Sequence, residues 1–592
     1  MSDFLFSSGR RPDGELRGLL EQFLGATTAS LREYHGAWGS LAVAACAHDH
    51  DPVVGDPRTI SVLLGWPVLH NAPGLPPAPV LDQQRRAVVH RLLAEGGATA
   101  TASNLDGPFA ALTINLADGS VTALTDRMGF IPLFVSAPSA GAAAVLVGSH
   151  VDTVALAAGR QDDIDPVAAA DFVVHSSITY PGTLYHGVEQ FPPAAERTCS
   201  GGAWTGPERV YWQPLEESPF RYLGRAARTL RRSFQTSVRH GCEGRDHVGL
   251  LLSGGEDSRS VLGAIPPGVR VDAFIFGDWE NREFRIARRV AALYGATLHF
   301  GQRAPDHYLG YEAVAPILGT QHRYTDVHGY GLHERLRLPE LPIVLGGYLS
   351  DSLLKANYAH APKRRMVRRA TPLAGERSPP TIANARGVRE DLLREVEARR
   401  ARHLARIREM RPFSAAEWLV LWPFTMRATS ANLHGNRRLF RGFEPFMSNG
   451  VLEIAAAVPQ WWKRERLLFH RAMRPFLARS WNVAHGRSKY PYFGPIANIP
   501  LGAGVKWVRW VRDRAAGESG RTQGPWPELG GLVRTQEMYR LRDSLRIPES
   551  PLSTIFDPEI DSSGMDAAQQ AWTPEQQLGF LQLVYLVQRI GS

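Results

Sequence analysis

The chain has 592 residues and a mass of 65.3 kDa, with 44% hydrophobic and 21% charged residues; these are globular values that exclude a small binding module and general disorder. Its 67 Lys and Arg against 58 Asp and Glu give a net charge of +9. Residues 361–412 alone hold 15 basic and 6 acidic residues, so the remainder is neutral; with no aromatics interleaved in that segment, no nucleic-acid partner is expected. Cys46, Cys199 and Cys242 are odd in number and lack CxxC spacing, which excludes a disulfide framework or a cysteine zinc site and fits a reducing cytoplasm. Residues 1–11 lack an apolar signal region, and the most apolar window, 137–159, is broken by His150 and Asp152, so neither secretion nor a membrane span is expected.

Up to about residue 215, short alternating apolar runs closed by Gly, Pro and Asp predict hairpins, such as 109–115 and 120–125 around Asp118-Gly119. A helix over 166–174 leads into Pro181-Gly182, making this region mixed α and β. From residue 221 the pattern changes. A helix over 225–239 precedes an apolar strand over 247–252, then Ser253-Gly254-Gly255 and a helix into Leu262. Strand 271–276, a helix over 283–294 with Ile286, Val290 and Leu293 on one stripe, and strand 342–345 predict a doubly wound parallel sheet. The expected division is 1–215 and 216–592. Within the second part, 361–412 reads as an exposed lid or insertion, carrying an Arg/Glu-rich helix over 390–409 without a sustained apolar stripe. Helices are also expected over 418–433 and 451–458, and no repeat is visible.

Leu252-Ser253-Gly254-Gly255-Glu256-Asp257-Ser258 lies between a buried strand and a helix start. Two glycines let backbone N–H groups approach a ligand, two serines add hydroxyl donors, and the helix terminus favours an anion. Asp257 is a poor neighbour for a bare phosphate and implies an intervening Mg²⁺. A Walker loop is excluded, because no GK[ST] follows. The structural alternative is a tight βα turn with Asp257 or Ser258 as helix cap. The run 46–51, Cys-Ala-His-Asp-His-Asp, contains ligand-type residues but reads as an exposed loop rather than a metal site.

The full Ser-Gly-Gly-x-Asp-Ser string resembles the PP-loop of the ATP pyrophosphatases, which cleave ATP to AMP and pyrophosphate. Asp106-Gly107-Pro108-Phe109-Ala110, the run 125–134 (TDRMGFIPLF), Gly182 to Val188, Tyr211-Trp212, Glu444-Pro445-Phe446, Val451-Leu452-Glu453, Pro459 and Lys463 narrow the resemblance to asparagine synthetase-like proteins. The resemblance implies an Ntn-hydrolase-like α+β domain followed by an α/β PP-loop synthetase domain. It further implies ATP held by Leu252, Ser253, Gly254, Gly255, Asp257, Ser258, Phe276 and Gly347, and Mg²⁺ held by Asp257 and Asp351.

Departures from the family pattern sharpen the expectation. Glutamine-dependent members begin, after Met removal, with a nucleophilic cysteine; residue 2 here is Ser2, so no glutaminase activity is expected, with Ser2 as an N-terminal nucleophile the alternative. Val344 to Ser352 aligns with the family's "LSGxGxDE" turn and keeps Asp351, while Ser352 replaces the glutamate. Tyr348 stands where β-lactam synthetases carry a tyrosine that works with a glutamate as base, and Glu444 is the candidate partner. Lys489 falls where the family has a lysine that neutralises charge on the adenylate and pyrophosphate. The structural alternatives are a packed tyrosine, a surface carboxylate and one lysine among many.

Together these residues imply a cytoplasmic ATP-dependent amide-forming ligase. Without ammonia from glutamine, the amine would come from the substrate itself, as in β-lactam synthetases and lasso peptide cyclases. The basic segment 361–412 and the chain length favour the macrolactam-forming lasso peptide cyclase, which joins a precursor peptide's N-terminal amine to an Asp or Glu side chain. A leader peptidase and a leader-recognition protein are the implied partners. The alternatives are a β-lactam synthetase-like or ammonia-dependent asparagine synthetase-like ligase acting on a small amino acid.

Overall fold

The computed structural model describes residues 2–49, 51–95, 97–136, 144–356, 385–494, 497–515, 522–524 and 526–591. In the first part, strict alternation sends successive side chains to opposite sheet faces. Phe4 and Phe6 of Asp3–Ser7 and Leu41 and Val43 of Gly39–Cys46 point one way, meeting Val62, Leu64, Leu112 and Ile114 of a second sheet. Leu5, Ala42 and Ala44 point the other way, onto the helices Glu15–Leu24, Val151–Ala157 and Pro166–His175. On the outer face of the second sheet, Leu63, Ala111 and Leu124 cover helix Gln83–Glu95 through Val89 and Leu93. The result is a helix–sheet–sheet–helix stack of a six-stranded and a seven-stranded antiparallel sheet. The expected hairpin is Phe109–Asn115 paired antiparallel with Val121–Thr125.

In the second part, five parallel strands stand in the order Thr297–Gln302, Arg270–Gly277, His247–Leu251, Val344–Leu345, Gly442–Phe443. In chain order this is 3-2-1-4-5, so the winding direction reverses between His247–Leu251 and Val344–Leu345. Helix Arg282–Tyr294 begins where the Asn281 side chain accepts the Phe284 N–H at 3.2 Å and ends at Gly295, whose φ of 75° suits glycine. Phe284, Ile286, Ala287, Val290 and Ala291 form its buried stripe, whereas Leu293, expected on that stripe, is exposed.

Three expectations are corrected. Residues 418–433 do not form one helix: Pro423 cannot donate a backbone hydrogen bond, so the chain breaks into Ala415–Trp418, a turn at Phe424–Met426, and Ser430–Leu439. Residues 361–384 lie outside the described residues, but the helix that follows, Glu390–Met410, is packed rather than an exposed lid. It buries Leu392, Leu393, Val396, Arg400, His403, Leu404 and Ile407, and Arg399 pairs with Asp165, the N-cap of Pro166–His175. The stripe escapes a sequence reading because Arg400 and His403 occupy part of it. The run at 46–51 is not exposed throughout: Cys46 and His48 are buried, His50 lies outside the described residues, and the Asp49 side chain, only 2% exposed, accepts hydrogen bonds from Trp66 Nε1 (3.1 Å), Arg86 (2.8 Å) and Ser2 Oγ (3.0 Å). Arg86 neutralises it, and among the described residues no group of three or more His, Cys, Asp or Glu is placed to hold a metal. No described helix is long and apolar enough to cross a membrane.

The two parts interlock. Asp126 accepts N–H bonds from Phe109, Met128, Phe130 and Ile131 at 2.9–3.2 Å, and this turn presents Arg127 to Glu453 (2.6 Å) and the Met128 carbonyl to the Phe424 N–H (2.8 Å). Asp3 is buried against Arg437 and Arg438, both at 2.7 Å.

Candidate active site at the carboxyl edge of the parallel sheet

In open α/β sheets, the crevice where strand order reverses is where ligands bind, outside the carboxyl ends of the strands. Here that crevice lies between two turns, 252–256 after His247–Leu251 and 346–349 after Val344–Leu345. A cleft of about 450 Å³ opens there, lined by Leu252, Ser253, Asp257, Ser258, Phe276, Gly347, Tyr348, Asp351 and Glu444.

The turns fold as the glycines dictate. A Cβ on Gly254 would overlap Glu283, and one on Gly347 would lie 2.5 Å from the Ser258 nitrogen. Ser253 and Ser258 hold the first turn: the Ser258 hydroxyl accepts the Ser253 N–H at 3.1 Å, and the Ser253 hydroxyl accepts the Gly255 N–H at 3.2 Å. Arg259 clamps it from below, donating to the Gly254 and Val483 carbonyls at 3.0 and 2.8 Å. The glycine cradle and the hydroxyls suit a polyphosphate, and the oxygen donors Asp257 and Asp351 suit a hard divalent cation.

Asp257 is not a bare carboxylate. It pairs with Lys355, whose ammonium also lies 2.9 Å from Glu256; Glu256 in turn meets Arg466 at 2.7 Å. Burial opposes charge on Glu256, but Lys355 and Arg466 outweigh it and hold the carboxyl down at about 2. Asp257 shifts the other way: burial and the neighbouring Glu256 raise its pKa against the pull of Lys355. Asp351 accepts the N–H and hydroxyl of Ser352 at 2.8 and 3.0 Å and lies 3.4 Å from Arg427. Burial resists its ionisation, yet Arg427 and Lys355 keep its pKa low.

Tyr348 and Glu444 do meet, but not hydroxyl to carboxylate as expected. Glu444 accepts the Tyr348 backbone N–H at 2.8 Å, and the missing side chain of Gly346 makes room for it. The Tyr348 hydroxyl turns away to the carbonyl and hydroxyl of Thr429, while Arg427 covers its ring at 4.8 Å. Burial pushes Glu444 up to about 8, only partly offset by the Tyr348 N–H. Glu444 is therefore a cleft carboxyl poised near neutrality, not a surface carboxylate. Lys489 is not brought to the site: it is exposed on loop 485–490 and does not line the cleft. The cations that do line it, Arg303 and Arg427, belong to no motif, and Lys355 was legible only as a residue one helical turn beyond Asp351.

Comparison with known proteins agrees with this geometry. Residues 229–490 match the asparagine synthase family and residues 85–212 a glutamine amidotransferase domain. No curated protein sequence matches the chain. The structure of the allosteric regulatory enzyme of purine biosynthesis aligns over 59% of this chain and 80% of its own, at 10% identity and a TM-score of 0.25, a likeness too distant to carry an argument. With the strand-reversal cleft inside the matched synthase region, residues 229–490 form an asparagine synthase domain behind an amidotransferase domain, and the chain is an ATP-dependent carbon–nitrogen ligase.

Proposed function

We propose that the enzyme is a cytoplasmic macrolactam-forming peptide cyclase of the lasso type, divided near residue 215 into a non-hydrolysing amidotransferase-like domain and a synthetase domain. The observation that carries this reading is the pairing of a cleft whose glycine turns, hydroxyls and carboxylates suit a nucleotide with thiols unfit for glutamine hydrolysis. Cys46, Cys199 and Cys242 are buried and burial raises all three pKa values, Cys242 to about 12; inert thiols of this kind release no ammonia. The amine is then carried by the substrate.

In this reading an Asp or Glu side-chain carboxylate of a precursor peptide attacks the α-phosphorus of ATP, and the bond to pyrophosphate breaks. The peptide's N-terminal amine attacks the resulting acyl carbon, AMP departs, and the amine proton passes to Glu444. Arg303 and Arg427, which also line the cleft, complement the acidic side chain before it reacts. The Ser253-Gly254-Gly255 turn, Ser258 and Gly347 receive the phosphates, and Leu252 and Phe276 flank the base. Asp257 and Asp351 would hold Mg²⁺, which when bound neutralises charge on the phosphates. Tyr348 positions Glu444 through its backbone N–H. Holding amine and acyl group in one cleft makes ring closure effectively unimolecular. A leader peptidase and a leader-recognition protein would supply the trimmed peptide.

The test is AMP and pyrophosphate release by the full chain with ATP, Mg²⁺ and leaderless peptides carrying one internal Asp or Glu. Peptide-dependent AMP with loss of one water from the peptide is expected. AMP release only with small amino acids would replace the peptide reading by a β-lactam or asparagine synthetase-like one.

A further inference from the structure

Lys355 is buried, with 4% of its side chain exposed, in a place where an ammonium group is costly unless something requires it. It stands on the residue just beyond helix Ser350–Leu354, which carries Asp351, yet it reaches across to the first turn. There it donates to Asp257 and lies 2.9 Å from Glu256, with the Phe469 ring 4.3 Å from its nitrogen. One cation thus links the two elements that bear the cleft carboxylates Asp257 and Asp351. A lysine ammonium and a hydrated divalent cation compete for the same carboxylate oxygens, since both are hard and positively charged.

We infer that Lys355 is a resident counter-ion for Asp257 that a divalent metal must displace, so that it is the positioning residue setting how much metal the cleft holds before nucleotide arrives. The inference rests on the ATP-ligase reading of the cleft. Its chemistry is an exchange of ion pairs with no bond made or broken. With Lys355 on Asp257, free metal meets one carboxylate of the Asp257–Asp351 pair, Asp351, itself beside Arg427, and binds weakly. A nucleotide arriving with its own metal brings phosphate oxygens as further ligands and takes Asp257 from Lys355, whose ammonium stays with Glu256. Glu256 lies 2.9 Å from the ammonium, so the released lysine is not left without a partner. Metal and nucleotide therefore load together, and free metal does not pre-occupy the site.

The experiment is Mn²⁺ titration of the full chain followed by electron paramagnetic resonance of the free ion, with and without ATP. For the wild type, weak Mn²⁺ binding alone and a large gain with ATP are expected. K355M should bind Mn²⁺ alone at least about tenfold more tightly, because Asp257 loses its internal cation, and K355R should behave as wild type. The double variant K355M/D257N should lose the gain. A folded K355M, judged by its melting curve, whose Mn²⁺ affinity stays within twofold of wild type would overturn the inference; should K355M not fold, K355Q is read by the same criterion. ATP binding is measured in parallel by calorimetry. Absent ATP binding with any metal would overturn the ligase reading instead, whatever Mn²⁺ alone does.

Discussion

Gly347 and Ser258, 89 positions apart in the chain, meet so closely that a β-carbon on Gly347 would lie 2.5 Å from the Ser258 nitrogen. This approach joins the two turns that follow the first and fourth strands of the parallel sheet, and it sets Asp257 and Asp351 on the walls of one cleft. The approach is possible because Gly347 has no side chain and what it meets is the backbone at Asp257 and Ser258.

Gly347→Ala should therefore push the turns apart. Forced overpacking costs about 1–3 kcal/mol, so calorimetric ATP affinity should fall by about tenfold or more. Gly530→Ala, at a glycine with open space around it, is the control and should leave ATP binding unchanged. Equal ATP affinity in the two variants would contradict the contact.

Glu444, raised to about 8 by burial, gives a signed pH prediction. As the proton acceptor it works only when ionised, so the amide-forming step should be slow at pH 6, rise through about pH 8 and level off above it. Glu444→Gln should lower that step by about 10²–10³-fold and remove the rise. Stability moves in the opposite direction. Between the ordinary carboxyl pKa and about 8 the folded state keeps a proton that the unfolded state has released, so wild-type stability falls with pH over that window and is flat beyond it. The melting temperature of Glu444→Gln relative to wild type should rise across the same window.

Tyr348→Phe should be milder. The hydroxyl is spent on Thr429 and the contact with Glu444 runs through the backbone. A loss of about 1 kcal/mol in stability is expected, with the pH profile of amide formation keeping its rise near 8. A Tyr348→Phe enzyme as impaired as Glu444→Gln would return the proton to the hydroxyl.

Asp3→Asn tests the lock between the two parts. Arg437 and Arg438 are buried and share Asp3, and removing one partner of a buried ion pair costs about 3–5 kcal/mol. The Asp3 carboxyl is held well below the usual range: burial opposes its charge, and the two guanidinium groups more than compensate. The group therefore stabilises the fold above the ordinary carboxyl pKa, and that stabilisation is lost as acid protonates it. Calorimetry at pH 7 should show a lowered melting temperature in Asp3→Asn, with the gap from wild type closing in acid.

Local order was readable directly from the residues. Short, largely apolar runs alternating with helical stretches predicted strands over 247–252 and 271–276 in a parallel sheet, and the structure has strands His247–Leu251 and Arg270–Gly277 paired in parallel. Ser253-Gly254-Gly255 and Asp257-Ser258 announced a tight turn from strand into helix, because glycine and helix-terminus chemistry is local. The turn after Val344–Leu345 was legible for the same reason. What depended on contacts between distant segments was not legible. The Glu444 carboxyl could have met either end of Tyr348, and only the packing of Gly346 and Thr429 decided it for the backbone. Lys489 carried the expected charge but folds to the surface, while Lys355, unremarkable in sequence, is carried by its short helix into the ion pairs of the first turn. Helix Glu390–Met410 looked like a solvated charged segment until Arg399 found Asp165 across the interface. A sequence fixes what each residue can do within one turn of helix or strand; which charges meet, and so which of them are spent on structure, is decided when segments hundreds of residues apart are brought together.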